Sequence, residues 1–151
     1  MTKRVVIKFG GAELSTGSRV RKAAEMVKES GYREVVAIVS AMGKTTDNLM
    51  GYLSEIGHNN DIDYSDIVGM GERISARLFC SALKSLGVKS TYFDPQQERW
   101  PIITDSNFRN AKPDITETRK RLKKNLEPLL RHCIPVVCGF LGKDKEGRIT
   151  T

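Results

Sequence analysis

Lys8 and the pair Gly10-Gly11 close an apolar run, Val5-Val6-Ile7-Lys8-Phe9, and together have the makings of an anion site. The β-branched residues predict a strand that delivers one buried-side lysine to its carboxyl end. In an open α/β sheet, ligands bind just beyond the carboxyl ends of the strands. An ammonium there is a point charge for phosphate, and glycine backbone lets N–H groups approach anionic oxygens. The same residues also fit a plain turn after a strand whose lysine reaches solvent. This segment alone leaves both readings open.

Two further turns have the same character, Ser40-Ala41-Met42-Gly43 and Gly139-Phe140-Leu141-Gly142. In a doubly wound sheet the three would converge on one rim. The first runs on into Lys44-Thr45-Thr46-Asp47, which places hydroxyls and backbone N–H groups at a helix N-terminus, either as an anion site or as ordinary capping by Thr45. Gly69-Met70-Gly71-Glu72-Arg73 falls inside a helical pattern, where each glycine costs about 1 kcal/mol relative to alanine. Something must therefore approach that face closely, either a ligand met by Glu72 and Arg73 or simply the sheet. No Ser/His/Asp or Cys/His constellation suggests itself. Phosphoryl transfer to a carboxylate would need none, since an aspartate side chain of pKa ~3.9 is already an anion at neutral pH. Positioning and electrostatics suffice for that reaction.

The elements that must position these residues alternate as strand and helix, the pattern of a parallel-sheet α/β fold. The sequence predicts strands over 4–9, 34–40, 88–93 and 135–140, and the start of another over 148–151. Helices are predicted over 18–30, 45–56, 65–86 and 115–132, with a polar loop at 57–63 and an extended piece at Ile102-Ile103-Thr104. The third helix carries Ile67, Met70, Ile74, Leu78, Ala82 and Leu86 on one stripe, expected to face the core. Pro113-Asp114 caps the fourth, whose basic residues Arg119, Lys120, Arg121, Lys123 and Lys124 read as a solvated surface.

Composition narrows the classes. The chain of 151 residues suits one domain, and 39% hydrophobic with 28% charged residues is ordinary for a globular protein. No apolar stretch approaches the roughly 20 residues that span a bilayer, and no signal-peptide pattern precedes the first strand. The three cysteines, Cys80, Cys133 and Cys138, read as reduced thiols of a cytoplasmic protein. His58 and His132 stand in no metal-ligand spacing, so no metal site is assigned. The net charge of +7 raises nucleic acid as a partner, but no aromatics are interleaved with the basic block to stack bases. Neither nucleic acid nor membrane is expected.

The order KFGG, SAMGKTTDNL, GERISARL, IITDSNFRNAKPD and PVVCGFLGKDKEGRITT closely resembles the aspartate kinases of the amino acid kinase superfamily, over essentially the whole chain. The resemblance implies a three-layer α/β fold, an open, mainly parallel sheet with helices on both faces. It implies phosphorylation of the L-aspartate side chain by ATP, with Mg²⁺ held mainly through the nucleotide phosphates, toward lysine, threonine and methionine. Lys8 matches the catalytic lysine. Phe9, Gly10, Gly11 and Ser40 match the nucleotide-phosphate side. Thr46 (or Thr45 in the adjacent register), Glu72, Arg73 and Phe140 match the aspartate side, with Glu72 on the substrate's amino group. Thr104, Asp105, Phe108 and Arg109 match a substrate-side loop. Ala12-Glu13 departs from the family's usual Thr-Ser, removing two hydroxyls and adding a carboxylate near the phosphates.

Residues 1–151 thus correspond to an N-terminal, aspartate-binding lobe. The nucleotide-binding half and the ACT domains are absent from this stretch, little turnover is expected from it alone, and a homodimer is expected of the full-length enzyme. The rival readings are an acetylglutamate or glutamate 5-kinase-like enzyme and a non-catalytic interaction module.

Overall fold

The computed structural model describes residues 4–57 and 60–151. Four parallel strands form its sheet: β1 (Arg4–Phe9), β2 (Glu34–Val39), β3 (Ser90–Phe93) and β4 (Ile134–Cys138), in the order β1-β2-β4-β3. β2 reads as a nearly unbroken apolar run because both its faces are covered. Its one acid, Glu34, is buried and accepts the Arg4 guanidinium at 2.8 Å across the β1–β2 register. Beyond the sheet, β5 (Gly142–Lys143) and β6 (Ile149–Thr150) pair antiparallel as a hairpin. The extended piece makes only isolated bridges, Ile103 to Lys143 and Thr104 to Pro113.

Helix α1 (Gly17–Glu29) starts where the Thr16 hydroxyl accepts the Arg19 N–H, and it buries Val20, Ala23, Ala24 and Val27. α2 (Thr45–Ile56) ends at Gly57, whose φ of 73° is the left-handed conformation glycine adopts freely. The expected polar loop is shorter than predicted. Asn60 accepts the N–H groups of Ile62 and Asp63 and starts α3 (Asp61–Val68). His58 lies outside the described residues.

The long helix predicted over 65–86 is two helices, α3 and α4 (Met70–Ser85), meeting at Gly69. A Cβ on Gly69 would lie 2.9 Å from the Ser65 carbonyl and 3.0 Å from Leu141, so only glycine fits this junction. The buried stripe also differs from the expected one. Ile67, Met70, Ile74 and Leu78 are exposed, whereas Ala76, Phe79, Cys80 and Leu83 are buried. Both faces of α4 are apolar, and the sheet takes the one with Gly71, Ser75 and Ala76, whose small side chains allow close approach. Phe79 on that face meets Phe9 with ring centroids 5.0 Å apart, a geometry worth about 0.5–1.5 kcal/mol beyond area burial.

The basic helix is also shorter than predicted. α5 (Ile115–Arg121), capped by Asp114 accepting the Glu117 N–H, passes into a π-helical turn at Leu122–Leu126 and a 3-10 turn at Glu127–Leu129. Pro128 has no N–H to continue an α-helix, and the Glu127 N–H reaches back to the Leu122 carbonyl instead. Leu126 and Leu130 join Phe93, Trp100 and Val137 in the core cluster.

Candidate active site

The site lies where β1, β2 and β4 end. Backbone hydrogen bonds tie the three turns into one rim: Ser40 N–H to the Phe9 carbonyl (3.0 Å), Gly43 N–H to Gly11 (2.9 Å) and Gly139 N–H to Val39 (2.8 Å). Side chains would hold these strands apart. A Cβ on Gly11 would stand 2.8 Å from the Ala41 carbonyl oxygen, and one on Gly139 3.0 Å from that of Val39. Gly10 faces something different. Its Cβ would meet Glu13 Oε2 at 2.7 Å, so the Glu13 carboxylate folds back over the bare glycine.

Glu72 is a buried carboxylate at this rim. It sits in the first turn of α4, only 4% exposed, and Oε1 accepts the Ala41 N–H at 3.1 Å. Oε2 is buried and has no hydrogen-bond partner among the described residues. Burial pushes the Glu72 carboxyl above its ordinary value, against the opposing pull of the Ala41 amide. Gly71 makes this docking possible, since a Cβ there would lie 2.7 Å from that of Ala41. The Cys138 thiol donates to the Glu72 carbonyl at 3.6 Å, fastening the same turn to β4. A buried carboxylate with one free oxygen is suited to a cation with N–H donors, such as an ammonium.

Arg73, the neighbour of Glu72, does not share this opening. Its Nε donates to Asp94 at 3.0 Å and its Nη2 to Gln96 at 2.5 Å, with a longer contact to Asp66. Asp94, at the carboxyl end of β3, is 1% exposed and also receives Arg77 at 2.7 Å. Burial raises its carboxyl, but the Gln96 amide and the two guanidiniums outweigh that and hold it below the usual carboxylate range. The Arg73 guanidinium is thus fully engaged within the chain, fixing the first turn of α4 to the end of β3.

Lys8 is exposed rather than on the buried side. Strand alternation sends Phe9 toward α4 and Lys8 to the opposite face, beside Arg4 and Val6. Its ammonium has no hydrogen bond or ion pair among the described residues. The Phe9 side chain is buried in the core, leaving only its backbone at the turn. Ser40 is half-buried at the end of β2. Thr45 does not cap α2 but donates its hydroxyl to the Met42 carbonyl at 2.6 Å. No side chain caps that helix, and Thr46 lies half-buried in its first turn. Phe140 is 66% exposed with φ of 64°, a conformation that costs a non-glycine residue about 1–2 kcal/mol. The rim thus gathers Gly10, Gly11, Ser40, Gly139, Phe140 and, through Ala41, Glu72.

The 104–109 loop packs against α3 and β6. The Phe108 carbonyl accepts Ser65 Oγ and Thr151 N–H, Thr104 and Thr150 hydroxyls meet at 2.7 Å, and Arg109 pairs with Asp61 at 2.7 Å. The sequence reading missed Ala41, which acts through its backbone and leaves no side-chain signal. It also missed Asp94, whose place at a strand end before Pro95 was available as a clue.

This chain belongs to the amino acid kinase family, whose model matches residues 3–151. The curated relatives it matches are more specific. It is 35% identical over 152 residues to the aspartokinase of Corynebacterium efficiens and 33% identical over 151 residues to that of Helicobacter pylori. Each comparison takes in 97% of this chain but only 34% and 36% of those relatives, so the chain spans about a third of their length. Its fold matches that of Escherichia coli aspartokinase III, solved with aspartate and ADP, at a TM-score of 0.84 and 20% identity over 99% of this chain and 43% of that one. The aspartate kinase of Synechocystis superposes at 0.71 with 27% identity over 99% of this chain and 24% of that one.

Proposed function

We propose that this chain is the aspartate-binding lobe of an aspartate kinase, which transfers the terminal phosphoryl group of ATP to the side-chain carboxylate of L-aspartate in the cytoplasm, toward lysine, threonine and methionine. The observation that carries the reading is the buried Glu72 carboxylate, anchored through one oxygen and unpartnered at the other. The α-ammonium of an amino acid supplies the missing donor.

The remaining residues fit a triphosphate. Lys8 has an uncommitted ammonium at the carboxyl end of β1, and the Gly11 and Ser40 turns present backbone beside Gly10, over which the Glu13 carboxylate folds. Mg²⁺ carried on the phosphates lowers their negative charge. Lys8 screens the approach of two anions, and Phe140 walls the amino-acid side of the rim. Thr45 and Thr46, at the uncapped start of α2, face the substrate's carboxylate end. A side-chain oxygen of aspartate forms the new O–P bond while the bond from the terminal phosphorus to the β,γ-bridging oxygen breaks. ADP leaves with that electron pair, and no protein base takes up a proton. Arg73 contributes by position, holding the turn that bears Glu72.

Calorimetry with L-aspartate and succinate tests the reading. The two share both carboxylates, and only aspartate has the ammonium. Aspartate is expected to bind at least about tenfold tighter, and equal affinities overturn the assignment. Residues 1–151 alone are expected to bind aspartate with little ADP release in a coupled assay, since they span about a third of the length of the curated relatives.

A further inference from the structure

Among the described residues, two buried side-chain atoms lack a hydrogen-bond partner, Glu72 Oε2 and Ser75 Oγ. Ser75 is 0% exposed and stands three residues after Glu72 on α4. Side chains at that spacing are neighbours, with Cβ atoms about 5–6 Å apart. Buried polar atoms are rarely left unpaired, so two within one helical turn call for a shared explanation. A serine inside a helix commonly gives its proton to the carbonyl four residues back, which here is that of Gly71. Ser75 does not. The Glu72 carbonyl, one position on, already receives the Cys138 thiol at 3.6 Å. The Ser75 hydroxyl is therefore free to turn about a single bond.

We propose that Ser75 is a positioning residue for Glu72: its hydroxyl turns to donate to Oε2 of the ionised carboxylate and holds that oxygen toward the ammonium of a bound amino acid. The inference rests on the proposed role of Glu72 and adds a donor to it. A carboxylate oxygen has two lone pairs, so Oε2 can accept Ser75 and an ammonium together. The Ala41 N–H already holds Oε1 at 3.1 Å, and a second donor at Oε2 stops the carboxylate turning about that contact. Without Ser75, a buried oxygen of an ionised group would depend on the ligand alone. Hydrogen bonds to a charged acceptor are roughly twice as strong as neutral ones, so a hydroxyl that can reorient favours the ionised form.

The groups around Glu72 leave its titration readable. Burial pushes the Cys138 thiol on β4 up to about 12, so it stays neutral. Asp94, at the end of β3, is held low and bound to Arg73 and Arg77, and Asp66 on α3 also meets Arg73. The buried face of α1 and the carboxyl end of β2 are apolar.

The test is the titration of Glu72 in the ligand-free chain, followed by carbon-13 NMR of its carboxyl carbon. Ser75→Ala keeps a good helix former and removes the hydroxyl. It is expected to raise the midpoint by about one unit, the size of one hydrogen bond to a charged group. Aspartate affinity, read by calorimetry, should fall about tenfold. A hydroxyl that is merely buried behaves differently, since its removal stabilises the fold against urea and leaves the midpoint in place. An unchanged midpoint overturns the inference, and so does an unchanged aspartate affinity. Glu72→Gln tells this failure from that of the proposed function. Lost aspartate affinity there with none lost in Ser75→Ala sinks the role of Ser75 alone, and no loss in either variant sinks both.

Discussion

Glu72 accepts the backbone N–H of Ala41 at 3.1 Å, and this contact joins the first turn of α4 to the loop after β2. It orients a carboxyl whose hold on its proton burial strengthens and the Ala41 amide weakens, and it leaves the second oxygen for a ligand.

Glu72→Gln keeps an acceptor for Ala41 and removes the charge. Aspartate binding is expected to weaken by roughly 100-fold, as when one partner of a desolvated charge pair is removed. Calorimetry measures this, and succinate binding should hardly change.

The pH dependence follows from the raised carboxyl of Glu72. The folded, ligand-free chain holds this proton more tightly than the unfolded chain does. Its contribution to stability is therefore fully present below the ordinary value of 4.5 and lost as pH rises through the raised one. Aspartate needs the ionised form, so its affinity should strengthen with pH across the same window. Glu72→Gln should flatten both trends, in urea titrations and in calorimetry.

Arg73→Ala leaves the buried Asp94 with the Gln96 amide and a single guanidinium, that of Arg77. A loss of about 3 kcal/mol in urea unfolding is expected, the usual consequence of stripping a partner from a buried ion pair. Because the Asp94 carboxyl lies below its ordinary value, its stabilisation is present above that value and lost as pH falls through the lowered one. Acid unfolding of the variant should therefore begin at higher pH.

Two glycine substitutions make an internal comparison. Gly51→Ala, in the interior of α2 with nothing within 4 Å of the new methyl, should stabilise by about 1 kcal/mol. Gly71→Ala gains the same helix preference but drives a methyl to 2.7 Å from Ala41, which should cost about 1–3 kcal/mol and weaken aspartate binding. Thermal melts and calorimetry on both variants separate propensity from packing.

Glu13 covers the backbone of Gly10, where phosphate oxygens would approach. Glu13→Gln should tighten binding of inorganic tripolyphosphate by roughly fivefold, the scale of one exposed charge contact, while Lys8→Met should weaken it. Fluorescence competition titrations in low salt report both changes.

Much of this was legible beforehand. The alternation of apolar strands with helices fixes a parallel α/β sheet, and Lys8-Phe9-Gly10-Gly11, Ser40-Ala41-Met42-Gly43 and Gly139-Phe140 all fall at strand ends, as expected. Periodicity could not decide which apolar face of α4 is buried, because Ile67-Met70-Ile74-Leu78 and Ala76-Phe79-Cys80-Leu83 satisfy the same spacing. The packing of Phe79 on Phe9 and of Gly71 on Ala41 decides it. Nor could pattern assign Arg73 to Asp94, since that pairing joins two elements through a sheet order that no local signal encodes. The π turn at Leu122–Leu126 follows from Pro128, which was visible, but its form depends on how Leu126 and Leu130 reach the core.

The strand order bears on how the chain assembles during synthesis. β1, α1 and β2 can pair as soon as they leave the ribosome, but β3 must wait with both edges bare while some forty further residues are made. Only when Ile134–Cys138 slots between β2 and β3 does the hydrogen-bonded array become continuous. A nascent chain halted before that point leaves the facing edges of β2 and β3 without the strand that joins them, a natural target for holding chaperones.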